Sequence, residues 1–206
     1  LLKQYGYKGK ILLPNNWKTR EYIISSIDKL NYDYELYDIN KIYKISNFTT
    51  ANHLATTGNF NPVHFKELSK YLKTSKSESF KYWIIRKENQ QRRIKNKDDL
   101  LKVLDKYKIK AIYSEDLSFE DEVNLFSKAS FIGGLHGAGL TNMLFMDEGS
   151  VVLEIKTNHT EKSNAFFAMA SALNHNYYYY RHDLNDTNGI EVNIEEIDSV
   201  LKGIFN

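Results

Sequence analysis

The chain contains no cysteine among its 206 residues. Disulfides and thiolate metal sites are therefore excluded, which suits a reducing compartment without requiring one. No apolar run approaches the ~20 residues that a membrane-spanning helix needs. The start, Leu1-Leu2-Lys3-Gln4, carries neither an initiator Met nor a signal-peptide pattern, so we expect a piece of a longer protein, with any targeting segment outside it. An excess of one charge is also missing: 28 basic and 26 acidic residues leave a net charge of +2. Nucleic acid is accordingly not an expected partner. Strict Asp-x-Asp is absent and the histidines are scattered without ligand spacing, so neither a metal nor a cofactor is expected.

What is present is a long alternation of strand and helix patterns. Lys10–Pro14 reads as a strand, Thr19–Leu30 as a helix, and Tyr34–Ile39 and Lys41–Ser46 as two short strands. Residues 49–61 are polar, glycine-containing and without a period, which suits a linker or an active-site loop. Pro62 then opens a helix with Phe65, Leu68 and Leu72 on one face. From Phe80 onward the pattern repeats as β-α-β-α: strands at 80–85, 109–113, 130–135, 150–155 and 176–181, with helices at 98–107, 118–129, 140–146, 164–173 and 194–205. Ser118-Phe-Glu-Asp121 resembles a capping box for the second of these helices. The expected fold class is α/β, a doubly wound parallel sheet, in which ligands bind beyond the carboxyl ends of the strands.

The stretch on which function turns is Ser130-Phe-Ile-Gly-Gly-Leu-His-Gly-Ala-Gly-Leu-Thr-Asn-Met-Leu-Phe-Met146. It reads as a buried strand, a tight glycine turn that admits positive φ, and the start of a helix. Free N–H groups and the positive end of a helix dipole favour an anion, and a phosphate or diphosphate is the natural ligand. His136, Thr141 and Asn142 add donors. Packing between strand and helix accounts for such glycines equally well. The spacing matches neither the dinucleotide fingerprint nor the P-loop, and the chain has no Gly-x-Ser-x-Gly elbow. A second stretch, Arg86-Lys-Glu-Asn-Gln-Gln-Arg92-Arg93, follows a strand end on the same sheet edge. Guanidinium groups there suit a diphosphate. A solvated basic loop is the competing account.

These residues resemble glycosyltransferase family 61. The likeness rests on Ile-Ile-Arg86-Lys, Arg92 with Asn96 four residues on, Ser118-Phe-Glu, Phe126-Ser-Lys-Ala129, His136-Gly-Ala-Gly-Leu-Thr-Asn142 and Val152-Leu-Glu154-Ile155, in that order. It runs from about residue 60 to 181. The family includes bacterial capsule-polysaccharide enzymes, plant xylosyltransferases and animal N-acetylglucosaminyltransferases. The resemblance implies a GT-B enzyme built of two Rossmann-like domains. Residues 1–59 would be the end of an incomplete acceptor-side domain plus linker, and 60–206 the nucleotide-sugar domain.

It also implies an inverting transfer from a nucleotide sugar to a glycan, lipid-linked glycan or protein hydroxyl, without a metal. Arg86, Arg92 and Asn96 would meet the donor, and Gly137, Ala138, Gly139, Leu140, Thr141 and Asn142 would face its diphosphate. Glu154 would accept from the ribose hydroxyls or simply close a strand. His136 is the candidate base, with a diphosphate donor or a satisfied core histidine as its other readings; His53 and His64 are further candidates. Two positions depart from the family: Lys97 replaces an acidic residue and Glu122 a glutamine. A non-catalytic nucleotide- or glycan-binding module is the alternative. The setting implied is cytoplasmic, with association at the inner membrane face for a bacterial-type enzyme, or the secretory lumen for a eukaryotic one.

Overall fold

The computed structural model describes residues 6–50, 55–56, 58–74, 78–87, 93–160, 162–182 and 189–206. The chain begins with β1 (Ile11–Pro14), α1 (Glu21–Lys29) and β2 (Tyr34–Tyr37). The two strands pair in parallel, so α1 is the crossover of a βαβ unit. Among the described residues no strand forms over 41–46, where one was expected. Ile42, Tyr43 and Ile45 are exposed there. An alternating pattern becomes a strand only when a neighbouring ladder and a buried face support it.

Helix α2 (Pro62–Leu72) follows, with Asn61 capping it by accepting from the Val63 and His64 N–H groups and Pro62 at the first position. Then come β3 (Phe80–Ile84), α3 (Lys97–Lys106), β4 (Lys110–Ile112), α4 (Phe119–Phe126), β5 (Ala129–Leu135), β6 (Val151–Thr157), α5 (Ala165–Ala172), β7 (Asn176–His182) and α6 (Ile194–Phe205). Ser118 caps α4, its Oγ accepting from Asp121 N–H at 3.2 Å. That helix stops at Phe126 rather than running to Ala129, because Ala129 already pairs with Phe80 as the first residue of β5.

Five strands form one parallel sheet in the order β4-β3-β5-β6-β7. Successive side chains point to opposite faces. Tyr82, Ile132 and Val152 join a core built by α2, α4 and α5, whereas Trp83, Phe131 and Leu153 join a second core under α3 and α6. Burial on both faces explains why these strands read as continuous apolar runs. Because β3 has β4 on one side and β5 on the other, the winding reverses between β3 and β5, and a crevice opens beyond their carboxyl ends. No described helix is long and apolar enough to cross a membrane.

Between β5 and β6 the chain forms an eight-residue 3₁₀ helix, Ala138–Phe145, in place of the α-helix expected at 140–146. Leu140, Met143, Leu144 and Phe145 of this segment are buried, as is Met146 just past its end.

Candidate functional site at the switch point

The reversal of winding brings Arg86, just past β3, against the turn after β5. Gly137 is the point of contact: a Cβ there would lie 2.5 Å from Arg86 Nη2. The backbone at Gly137 is extended, with φ 170°. None of Gly133, Gly134, Gly137 and Gly139 lies in the left-handed region that the tight turn was expected to use. Their common property is lack of bulk. A Cβ at Gly133 would meet the buried Trp83 ring at 2.6 Å, and one at Gly134 the Ile84 carbonyl at 3.0 Å. Arg86, Gly137 and Gly139 share a small hollow floored by Ile84, Leu135 and Leu140.

The 3₁₀ helix begins at this hollow. Leu140 N–H is already used by the Gly137 carbonyl at 3.0 Å, and the Leu140 side chain is in the core. The N–H groups of Ala138 and Gly139 precede the first intrahelical bond and are left for an outside acceptor. A guanidinium, two N–H groups and a helix start are the elements of an anion site.

Behind the turn lies a buried relay. Glu154 on β6 is 1% exposed, and its two oxygens meet two donors, the His136 Nδ1 and the Tyr177 hydroxyl. Burial first, and then the Glu154 carboxylate, push the Tyr177 phenol up in pKa. His136 N–H continues the sheet by donating to Ile155 O at 2.9 Å, and the His136 ring stands edge-on to Phe166 at 5.0 Å. In the neutral tautomer that donates Nδ1–H to the carboxylate, the lone pair is on Nε2. Each Glu154 oxygen thus has one donor from within the chain.

Other expected residues fall elsewhere. Asn96 spends its amide on one neighbour, donating to Val192 O at 2.7 Å and accepting from Val192 N–H at 3.0 Å. It ties the segment before α6 to the start of α3 rather than reaching the hollow. Asn142 is buried and donates to Glu122 Oε1 at 3.0 Å. Burial raises the Glu122 carboxyl above its ordinary value, and the Asn142 hydrogen bond opposes this. Thr141 and Ala138 are exposed. Arg92 and His53 lie outside the described residues. His64 is on the first turn of α2 and lines neither hollow described here. Among the described residues no group of three or more His, Asp or Glu is placed to hold a metal ion.

A larger cleft of about 830 Å³ separates α1 from the 3₁₀ helix and α4. Ala138, Gly139, Thr141 and Asn142 form its floor beside Glu122 and Ser114, and Arg20, Glu21 and Tyr22 its opposite wall. Gly139 borders both the arginine hollow and the cleft. Sequence reading missed Tyr177 as a partner of Glu154, because the pairing depends on register: Val152 stands beside Tyr177 and Glu154 beside Tyr179, which makes Glu154 and Tyr177 diagonal neighbours on one face.

Comparison with known proteins bears on this site. The family model described as Glycosyltransferase 61 matches residues 11–153, from β1 into β6. The EGF domain-specific O-linked N-acetylglucosamine transferase of Drosophila melanogaster is 33% identical over 67 residues. That match spans 31% of this chain and 13% of the fly protein.

Proposed function

The chain belongs to the glycosyltransferase 61 family, and from that premise we propose that it moves a sugar from a nucleotide-activated donor to a hydroxyl acceptor with inversion at the anomeric carbon. The observation that carries the reading is Arg86 laid against Gly137 beside the Ala138 and Gly139 N–H groups. The donor's diphosphate sits there, its charge met by the guanidinium and the helix start in place of a metal ion.

Transfer is a single displacement. The acceptor oxygen bonds to the anomeric carbon, the bond from that carbon to the diphosphate oxygen breaks with its electron pair leaving on the diphosphate, and a base takes the acceptor proton. His136 is the base in this reading. The carboxylate of Glu154 behind it fixes the tautomer and stabilises the imidazolium that forms. Tyr177 holds Glu154 in turn.

The architecture proposed is GT-B. Residues 60–206 form the donor domain, and residues 1–59 supply part of the acceptor-side domain, of which β1, α1 and β2 are the described core. The acceptor is a glycan, a lipid-linked glycan or a protein, the last being what the name of the fly relative describes for that protein. The process is surface-polysaccharide or glycoconjugate synthesis.

Titration calorimetry with a set of nucleoside diphosphates in the presence of a metal chelator tests the donor site. One diphosphate is expected to bind, and Arg86→Ala to weaken it by about tenfold or more. Equal affinity in the variant would sink the site. A protein that binds the diphosphate yet releases no nucleotide from any sugar donor is the binding module instead.

A further inference from the structure

The two outer strands of the five-stranded sheet are unlike one another. β4 is three residues long, begins on the exposed Lys110 and stands two residues after Lys108. A short strand flanked by lysines is a common means of keeping a sheet edge from pairing with another chain. β7, at the other edge, has neither protection. Its seven residues pair with β6 in unbroken register, without proline, lysine or a bulge. Among the described residues no strand lies beyond it. Tyr178 and Tyr179 are 43% and 63% exposed. Phe167 on α5, with its ring 5.6 Å from that of Tyr177, extends the exposed aromatic surface. A long, regular edge that shows tyrosine in place of charge invites another strand.

The hydrogen bonds of β7 define how such a strand can sit. Asn176 N–H donates to Ser150 O at 2.9 Å, toward β6. Backbone groups alternate in direction along a strand, so those of Tyr178, Tyr180 and His182 also face β6, and those of Tyr177, Tyr179 and Arg181 face outward. A second, antiparallel β7 meets all three outward residues only when Tyr179 stands opposite Tyr179, which sets Tyr177 opposite Arg181. On that face two tyrosine rings meet at the axis, and a guanidinium comes to each Tyr177 ring. On the other face Tyr178 falls opposite Tyr180, and Asn176 opposite His182. No two like charges stand opposite one another, so the strand is complementary to itself. A strand of an unrelated protein would require no such match.

We propose that the protein forms a two-fold dimer through β7, with a second copy of this chain as the partner and one continuous sheet running through both. The contact is isologous and uses up the open edge, while β4 is blunted, so assembly stops at the dimer. Arg181 of the second copy then lies beside Tyr177, whose hydroxyl holds Glu154, and the interface adjoins the His136 relay.

Sedimentation velocity of the 206-residue protein across the micromolar range should show a monomer–dimer equilibrium. Tyr179→Lys sets two ammonium groups against each other at the axis and should weaken the dimer by about tenfold or more, whereas Tyr179→Phe should leave it unchanged. The chain has no cysteine, so single introduced cysteines read the register. Tyr179→Cys should form a disulfide between copies under mild oxidation, because Cα atoms of a directly opposed, hydrogen-bonded pair are about 5.5 Å apart. Tyr178→Cys, two residues out of line with its counterpart, and Lys110→Cys on β4 should not. Wild-type protein that stays monomeric overturns the proposal and leaves the edge to a strand of another protein. So does a dimer that withstands Tyr179→Lys, a disulfide at Lys110→Cys but none at Tyr179→Cys, or assembly beyond the dimer.

Discussion

Removing the hydroxyl of Tyr177 leaves a carboxylate with one donor fewer where water does not reach. Tyr177→Phe is therefore expected to destabilise the fold by about 1–3 kcal/mol, measured by chemical denaturation. Glu154→Gln asks a different question. The amide keeps the shape and can still accept from His136 through its oxygen, but it removes the negative charge that would stabilise an imidazolium at His136. If His136 takes the acceptor proton, kcat should fall by ~10²-fold or more with little change in KM. A parallel rise in KM would instead make the trio a support for donor binding.

Glu122 gives the pH-dependent case. A carboxyl whose folded-state pKa lies above its unfolded value holds its proton more tightly when folded, so its ionisation opposes the fold as pH rises. Glu122→Gln should raise the melting temperature at neutral pH, since the amide oxygen still accepts from Asn142. The difference should close as pH falls through the ordinary carboxylate value of 4.5. A gain that persists in acid would point to packing rather than charge.

At the level of elements, Asn96 acts as a clamp. Its two hydrogen bonds to Val192 join the start of α3 to the approach to α6 on the same face of the sheet. Asn96→Ala should lower stability by about 2 kcal/mol, with both Val192 backbone groups left unpaired, while nucleoside diphosphate affinity stays at the wild-type value. Reduced diphosphate affinity in a fully folded variant would return Asn96 to the donor site.

The element order from β3 to α6 was legible because β3, β5 and β6 are buried on both faces and α3, α4 and α6 each show one apolar stripe. The conformation of the 3₁₀ segment was not. A short apolar run such as Leu140 to Met146 suits three or 3.6 residues per turn alike, and only packing separates the two. The pattern at Lys41–Ser46 misled for the opposite reason, since alternation was present without a ladder to join. The glycine turn and Arg86 could be placed on one sheet edge from the order of strands. The Glu154 relay could not, because it depends on which residues of β5, β6 and β7 stand side by side, and register is a property of the assembled sheet.

For the whole molecule, the uneven distribution of buried surface between the two sheets matters most. In β1–α1–β2 only Leu13 belongs to the buried apolar core, whereas β3, β5 and β6 are buried on both faces. The unit that carries α1 is thus less anchored than the five-stranded sheet on which the anion hollow is built.

Local opening of β1 and α1 therefore takes less free energy than opening of β3, β5 and β6. Backbone amides of β1 and α1 are expected to exchange with deuterium well before those of β3, β5 and β6, whose exchange should wait for global unfolding. A ligand held across the cleft beside α1 would slow exchange in that helix, whereas a diphosphate at Arg86 would leave α1 at its own rate.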